Sequence, residues 1–70
     1  MNLLQTIGTN MRERRRELGI SQDEAGKKLN TSRQYYGQIE SGKFDFRVTT
    51  LERIANMLEI EIFELLNERE

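Results

Sequence analysis

The side chains that could do chemistry in this chain of 70 residues are arginines, glutamines and carboxylates. Cysteine and histidine are both absent. The chain therefore lacks thiol nucleophiles, the usual general base at neutral pH and the best transition-metal ligands. The candidate acids are Glu59, Glu61 and Glu64, and no phosphate-binding loop or nucleophile–base pair accompanies them. We therefore expect no catalytic site, no metal and no cofactor.

Charge is distributed unevenly along the chain, although the formal net charge is only −1. Residues 1–47 carry nine Lys/Arg and six Asp/Glu, whereas residues 48–70 carry two Lys/Arg and six Asp/Glu. A basic first part and an acidic second part suit a protein that presents one end to a polyanion. A solvated surface with uneven charges is the other interpretation of the same distribution.

Two positions that should face the protein interior carry charges. Arg15 occupies a slot in the apolar stripe of the first predicted helix, four residues after Met11 and three before Leu18. Glu40 lies beside Ile39 on the inward face of a later helix. Because a lone buried charge costs several kcal/mol, we expect the two side chains to form an ion pair. The alternative is that both reach the solvent separately.

Five amphipathic helices are predicted from the apolar spacing, the capping signals and the absence of proline. Capping-box patterns, Ser21 with Glu24 and Thr49 with Glu52, mark the starts of the second and fourth helices. Asn30 tolerates a positive φ and is expected to end the second helix. The predicted all-α fold has helices over about residues 3–18, 21–29, 32–41, 49–58 and 61–67, with a loop over residues 43–48.

Length and hydropathy limit the organisation of the chain. Seventy residues correspond to one small domain, which we assign to residues 1–70. No apolar run is long enough to span a membrane, and the first residues do not resemble a secretory signal. A core this small needs very good helix packing or a partner subunit when disulfides and metals are excluded.

The predicted helices and three short motifs resemble the phage-repressor DNA-binding domains of the Cro/C1, or XRE, type. The motifs are Gly-Ile-Ser-Gln at 19–22, Ile-Glu-Ser-Gly-Lys at 39–43 and Leu-Glu-Ile-Glu-Ile-Phe-Glu-Leu-Leu at 58–66. The resemblance covers nearly the whole chain and implies a five-helix, lambda-repressor-like domain with a helix-turn-helix at about 21–41. That family pairs an arginine of the first helix with the glutamate before the glycine. The Arg-x-Tyr of residues 33–35 is also similar to the controller proteins of restriction–modification systems.

The resemblance implies DNA-contacting roles for two groups of residues. The third helix would lie in the major groove, where arginine suits guanine and glutamine suits adenine. The implied base-reading residues are Ser32, Arg33, Gln34 and Gln38. Phosphate contacts are implied for Gln22, Tyr35, Lys43 and Arg47. Three further arginines of the first helix are either additional phosphate contacts or part of a solvated face. They are Arg12, Arg14 and Arg16.

Several positions depart from the family pattern. Ala25 and Gly26 stand where the family usually has Leu-Ala, and we expect the large side chain of Tyr36 to fill that space. Phe44 and Asp45 stand where a basic residue and an asparagine are common, and Asp45 would repel phosphate. We expect Phe46 to anchor the following loop in the core.

The last predicted helix is more apolar than one docking face requires. A small domain gains stability by burying such a surface against a second copy about a two-fold axis. We therefore predict a homodimer through Ile60, Ile62, Phe63 and Leu66.

Together these features predict a dimeric, sequence-specific regulator of transcription that binds palindromic or pseudo-palindromic double-stranded DNA in the cytoplasm of a prokaryotic cell. We expect no small-molecule effector, because the chain has no room for a domain to bind one. The alternative is a protein-interaction module, such as an antitoxin or anti-repressor, that retains the fold. Arg33, Gln34 and Gln38 favour the DNA-binding function, because a protein-binding surface would show an apolar patch there.

Overall fold

The computed structural model describes residues 2–69, which form five α-helices and no strand. The helices are α1 (Leu3–Glu17), α2 (Gln22–Lys28), α3 (Arg33–Glu40), α4 (Val48–Met57) and α5 (Ile62–Leu66). The predicted all-α class is confirmed, and the helices agree with the predicted spans to within one or two residues. Among the described residues, no helix combines the length and apolar character needed to cross a membrane.

Local capping explains where the first three helices begin. The side chain of Ser21 accepts a hydrogen bond from the backbone of Glu24, and the Glu24 side chain accepts one from the Ser21 backbone. The hydroxyl of Ser32 accepts a hydrogen bond from the Tyr35 N–H over 3.0 Å. Asn2 caps α1 in the same reciprocal manner as Ser21. These caps satisfy backbone donors that the first helical turn leaves free.

The predicted capping box at Thr49 and Glu52 is wrong. Helix α4 begins at Val48, with Arg47 at the cap position and no side-chain cap. The backbone N–H groups of Thr50 and Leu51 both donate to the Arg47 carbonyl, so Thr49 already lies in the first helical turn. Phe46 packs against the core immediately before this turn, as predicted, and anchors the chain there.

The core lies between the five helices, each of which contributes to it or ends at a residue that does. Helix α1 packs on α3 and α5, α2 packs on α3, and α4 packs on α5. This arrangement places α3 against α1 and α2 while one of its faces stays open to solvent. The buried apolar residues are Ile7, Met11, Ala25, Leu29, Tyr36, Ile39, Leu51, Ile54, Ala55, Leu58 and Leu65.

Two glycines allow the backbone of α3 to approach its neighbours closely. A Cβ on Gly8 would overlap the backbone carbonyl of Glu40. A Cβ on Gly26 would lie 3.0 Å from the Ser32 carbonyl oxygen. The backbone at the start of α3 thus closes the space beside Gly26, while Ala25 and Tyr36 both lie in the buried core.

Polar side chains from distant parts of the chain cap the C-termini of three helices. Buried Asn10 donates to the carbonyls of Leu65 and Asn67, over 2.9 and 2.8 Å, at the end of α5. Arg14 donates through Nε to the Leu58 carbonyl over 2.9 Å at the end of α4. At the end of α2, Arg53 donates to the Leu29 carbonyl. Sequence analysis missed these contacts; the one available signal was Asn10, a polar residue three positions after Ile7 in the inward stripe.

Candidate nucleic-acid interface

The open face of α3 forms one side of a concave surface, which encloses an open pocket of about 720 Å³. Helix α3 buries Tyr36, Ile39 and Glu40. Since a helix turns by about 100° per residue, the side chains at 34 and 38 point away from the core. Arg33 shares the side of Tyr36 and Glu40 but is exposed because it is the first residue of α3. The concave surface brings together all four predicted base-reading residues, each exposed. Its lining is Gln22, Ser32, Arg33, Gln34, Tyr35, Gly37, Gln38, Ser41 and Lys43.

The carboxylate of Glu40 links α3 to both preceding helices. Arg15 of α1 donates through Nε to Oε2 over 2.8 Å and through Nη2 to Oε1 over 3.1 Å. Gln22 of α2 donates through Nε2 to Oε1 over 3.0 Å. Arg15 also donates to the backbone carbonyl of Ile20 over 3.0 Å, in the turn between α1 and α2. These polar contacts, together with the burial of Tyr36 and Ile39, hold the inner side of α3 against its neighbours and leave its outer side exposed.

Protonation of this network follows from its geometry. Burial alone would raise the pKa of the Glu40 carboxyl, but hydrogen bonds from Arg15 and Gln22 and the charge of Arg15 lower it below the usual value. The hydrogen bond with Glu40 raises the pKa of the Arg15 guanidinium. Both groups are charged at neutral pH, as a buried pair requires.

Tyr36 places a hydroxyl next to this pair. Burial, with the adjacent Glu40 carboxylate, raises the pKa of the Tyr36 hydroxyl. Although it is buried, the hydroxyl completes no hydrogen bond with any of residues 2–69. Tyr36 thus contributes apolar contact to the core and places its hydroxyl beside the Glu40 carboxylate without a hydrogen bond of normal geometry.

Gln22 has a more constrained position than a free phosphate-binding side chain would have. One amide N–H bonds to Glu40. The side chain lies over Gly37, where an added Cβ would be 3.6 Å from the Gln22 amide oxygen. Because an amide nitrogen has two hydrogens, one donor of Gln22 remains for a ligand at the concave surface.

The other predicted phosphate contacts lie in different surroundings. Tyr35 is half-buried and packs edge-to-face with Phe44, with ring centroids 6.4 Å apart. Lys43 lines the concave surface next to α3. Arg47 is exposed at the cap position of α4 and does not line that surface.

The predicted dimer residues share one end of the molecule but differ in exposure. Phe63 and Leu66 are 62% and 37% exposed on α5, whereas Ile60 and Ile62 are half-buried against the core. Leu65, which lies between Phe63 and Leu66 in sequence, is fully buried. Helix α5 therefore uses one side for the core and leaves an apolar side uncovered.

Within the described part of the chain, no three His, Cys, Asp or Glu side chains are grouped as metal ligands would be.

The helices α2 and α3 and their connecting turn match a known motif. The family model HTH_3, described as Helix-turn-helix, matches residues 11–65. The chain belongs to this helix-turn-helix family.

Related sequences of the helix-turn-helix family are transcriptional regulators and repressors. An uncharacterized HTH-type transcriptional regulator, y4dJ, of Sinorhizobium fredii (strain NBRC 101917 / NGR234) is 32% identical over 66 residues. That alignment covers 94% of this chain and 86% of the relative. The immunity repressor protein of Bacillus phage phi105 is 30% identical over 63 residues, covering 90% of this chain and 44% of that protein.

Solved helix-turn-helix structures share the fold. The hypothetical transcription factor NHTF from Neisseria superposes with a TM-score of 0.90 at 25% identity, covering 96% of this chain and 77% of that one. The restriction-modification controller protein C.AhdI from Aeromonas hydrophila has a TM-score of 0.81 at 31% identity, covering 89% and 90%. The clp gene regulator ClgR from C. glutamicum has the same fold, with a TM-score of 0.87 at 20% identity and coverage of 94% and 86%.

The predicted resemblance to XRE-type regulators is confirmed by these matches. In helix-turn-helix terms, α2 is the first helix of the motif and α3 the second. The turn between them is built by Asn30, whose φ of 59° redirects the chain as predicted.

Proposed function

We propose that this helix-turn-helix regulator recognises a specific sequence of double-stranded DNA by inserting α3 into the major groove. The observation that supports this most directly is the set of exposed polar side chains on the outer face of α3. The B-DNA major groove is about 12 Å wide and admits one helix, and its base edges offer distinct donor and acceptor patterns.

The base-reading residues offer complementary hydrogen-bonding chemistry. Arg33 has the forked donors that suit O6 and N7 of guanine, while the amides of Gln34 and Gln38 suit N6 and N7 of adenine. Ser32 contributes a hydroxyl whose oxygen caps α3, so its proton is the group available to a base or phosphate. These four side chains would determine sequence preference.

Phosphate contacts would lie around the same surface. Lys43 and Arg47 supply charge, and Tyr35 and the free amide donor of Gln22 supply hydrogen bonds. Asp45 lies between Lys43 and Arg47 in sequence and opposes their effect on a polyanion. We therefore expect affinity for arbitrary DNA to be modest.

A homodimer through α5 would place two copies of α3 on one face of the DNA. The uncovered side of α5, with Phe63 and Leu66 exposed, supports a self-complementary contact about a two-fold axis. Two-fold dimers of helix-turn-helix proteins place their reading helices about 34–36 Å apart, so the operator would be palindromic or nearly so. Such a regulator acts where the DNA is, in the cytoplasm of a prokaryotic cell.

The decisive experiment is selection of binding sites from random duplex DNA with the purified protein. We expect a palindromic sequence with half-sites separated by about one helical turn. If a folded protein enriches no sequence, the proposed function is wrong. That outcome would favour a protein-interaction module.

Variants then distinguish the residues that read bases from the residues that bind phosphates. Replacing Arg33, Gln34 or Gln38 by alanine should cost about 1–3 kcal/mol on the selected site and relax preference at one base position. Replacing Lys43 or Arg47 should weaken binding to all sequences about equally and reduce the salt dependence. Lys28→Ala is a matched control, because Lys28 is exposed at the end of α2 and does not line the concave surface. Unchanged preference in the triple variant at 33, 34 and 38 would show that α3 does not read the bases.

A further inference from the structure

The carboxylate of Glu40 is shared by a second arginine of α1. Arg12 Nε lies 3.6 Å from Glu40 Oε1, the same oxygen that accepts from Gln22. Two guanidinium groups thus surround one carboxylate, which leaves a surplus of one positive charge. The side chain of Arg15 is 11% exposed and that of Arg12 is 43% exposed, so the surplus charge lies at the surface.

Glu40 holds Arg12 only weakly. The separation of 3.6 Å exceeds a hydrogen-bond length, whereas Arg15 makes two bonds of 2.8 and 3.1 Å to the same carboxylate. Within residues 2–69, no hydrogen bond fixes the Arg12 guanidinium. If Arg12 moved toward another anion, Glu40 would remain paired with Arg15 and hydrogen-bonded to Gln22. Little stability is therefore lost when Arg12 leaves.

The position of Arg12 distinguishes it from the other arginines of α1. Arg12 meets Gln22 at one carboxylate oxygen, and Gln22 lines the concave surface next to α3. Arg14 is engaged elsewhere, since its Nε bonds to the Leu58 carbonyl at the end of α4. Arg12 therefore lies near Gln22, one of the residues that line the concave surface.

From this geometry we propose that Arg12 binds a DNA backbone phosphate, exchanging its contact with Glu40 for the phosphate. A guanidinium has five N–H donors in a planar fork that matches two phosphate oxygens. The charge of Glu40 keeps the Arg12 guanidinium nearby before DNA arrives, and the surplus positive charge of the cluster attracts the phosphate. This assignment rests on the proposed DNA-binding function and adds a contact from α1 to those made by α2, α3 and the loop after α3.

The test measures binding to the selected duplex and to an unrelated duplex over a range of salt concentrations, for the wild type, Arg12→Ala and Arg12→Lys. Lys28→Ala is the matched control, because it removes the same charge from an exposed site on a separate surface, beside Arg53 and Met57. We expect Arg12→Ala to weaken binding to both duplexes and to reduce the slope of log K against log salt by about 0.9, the value for one phosphate contact. Arg12→Lys should keep the wild-type slope, and Lys28→Ala should keep both slope and affinity.

Thermal unfolding of the same proteins separates binding from a structural role. We expect the Arg12→Ala and wild-type melting temperatures to agree closely, because Arg12 is weakly held. A wild-type salt slope in Arg12→Ala, or a loss of stability with no change in slope, would refute the assignment. A wild type that binds neither duplex at any salt concentration would refute the proposed function itself.

Discussion

Arg15 and Glu40, 25 residues apart in sequence, form a two-pronged ion pair in which Nε and Nη2 of the arginine each donate to a different carboxylate oxygen. The pair joins the first helix of the fold to the helix proposed to read DNA. Because the Glu40 side chain is completely buried, neither charge can be removed without leaving the other poorly solvated.

We expect Arg15→Ala or Glu40→Ala to lower the free energy of unfolding by about 3–5 kcal/mol. The double variant should lose clearly less than the two single losses combined, since no unpaired charge remains. Urea unfolding of the four proteins measures this coupling. Small, additive losses would show that the two side chains are solvated separately.

The free energy of unfolding should depend on pH through the protonation of Glu40. Its folded-state pKa is below the ordinary value of 4.5, so the carboxyl contributes stability above that pH and loses it as pH falls toward the folded-state pKa. We expect the free energy of unfolding to be nearly constant from about pH 7 to 5 and to decrease below about pH 4.5.

The control for the acid effect is Glu17, because a hydrogen bond from Arg69 also lowers the pKa of its carboxyl. Glu17 is exposed, so salt screens its contribution, whereas the buried pair is screened much less. At high salt, the free energy of unfolding should therefore still decrease at acid pH because of Glu40. The Glu40→Gln variant should not show this decrease. An equal decrease in Glu40→Gln at high salt would contradict this prediction.

Three helical glycines should respond differently to alanine. Gly8→Ala and Gly26→Ala place a Cβ against the backbones of Glu40 and Ser32, and should each destabilise the protein by about 1–3 kcal/mol. Gly37→Ala meets only the Gln22 side chain at an ordinary contact distance, and should stabilise α3 by about 0.5–1 kcal/mol. Thermal melts rank the three variants, and a stabilised Gly26→Ala would show that a Cβ at Gly26 does not meet the Ser32 carbonyl.

Removing the Tyr36 hydroxyl should cost almost nothing. The hydroxyl is buried without a hydrogen-bond partner among residues 2–69, so Tyr36→Phe should change the free energy of unfolding by less than about 0.5 kcal/mol or increase it. Tyr36→Leu, which removes part of the buried ring as well, should be clearly destabilising. A loss above about 1.5 kcal/mol in Tyr36→Phe would mean that the hydroxyl is bonded in solution.

A substitution that introduces a charge on the uncovered side of α5 tests the dimer. Phe63→Asp should give a folded monomer with much weaker operator binding, because Phe63 is exposed in the single chain. Leu65→Asp should instead unfold the protein, because Leu65 lies in the core. Sedimentation and circular dichroism distinguish the two outcomes. Wild-type protein that stays monomeric at tens of micromolar and binds one half-site would rule out the dimer.

The sequence by itself determined the helices and the partners of the inward charges. Apolar spacing and the Ser21 and Ser32 caps act within a few residues, so they can be read without the fold. The pairing of Arg15 with Glu40 was also predictable, because a buried charge at each of two inward slots leaves few other solutions. The residue types on α3 likewise indicated a polar outer face.

Only the tertiary structure decided what lies around those features. Thr49 and Glu52 match a cap locally, yet α4 begins at Val48, two residues after Phe46 packs against the core. Asn10 and Arg53 cap helices that are distant in sequence, and no local pattern reveals such contacts.

The arginines of α1 show the same division between sequence and structure. As residue types, Arg12, Arg14 and Arg16 are indistinguishable. Their surroundings differ because helix packing places Arg14 at the end of α4 and Arg12 beside Glu40. A side chain's role depends on which distant atoms come within a few ångströms of it. The packing of the helices sets those distances, and residue spacing along the chain does not.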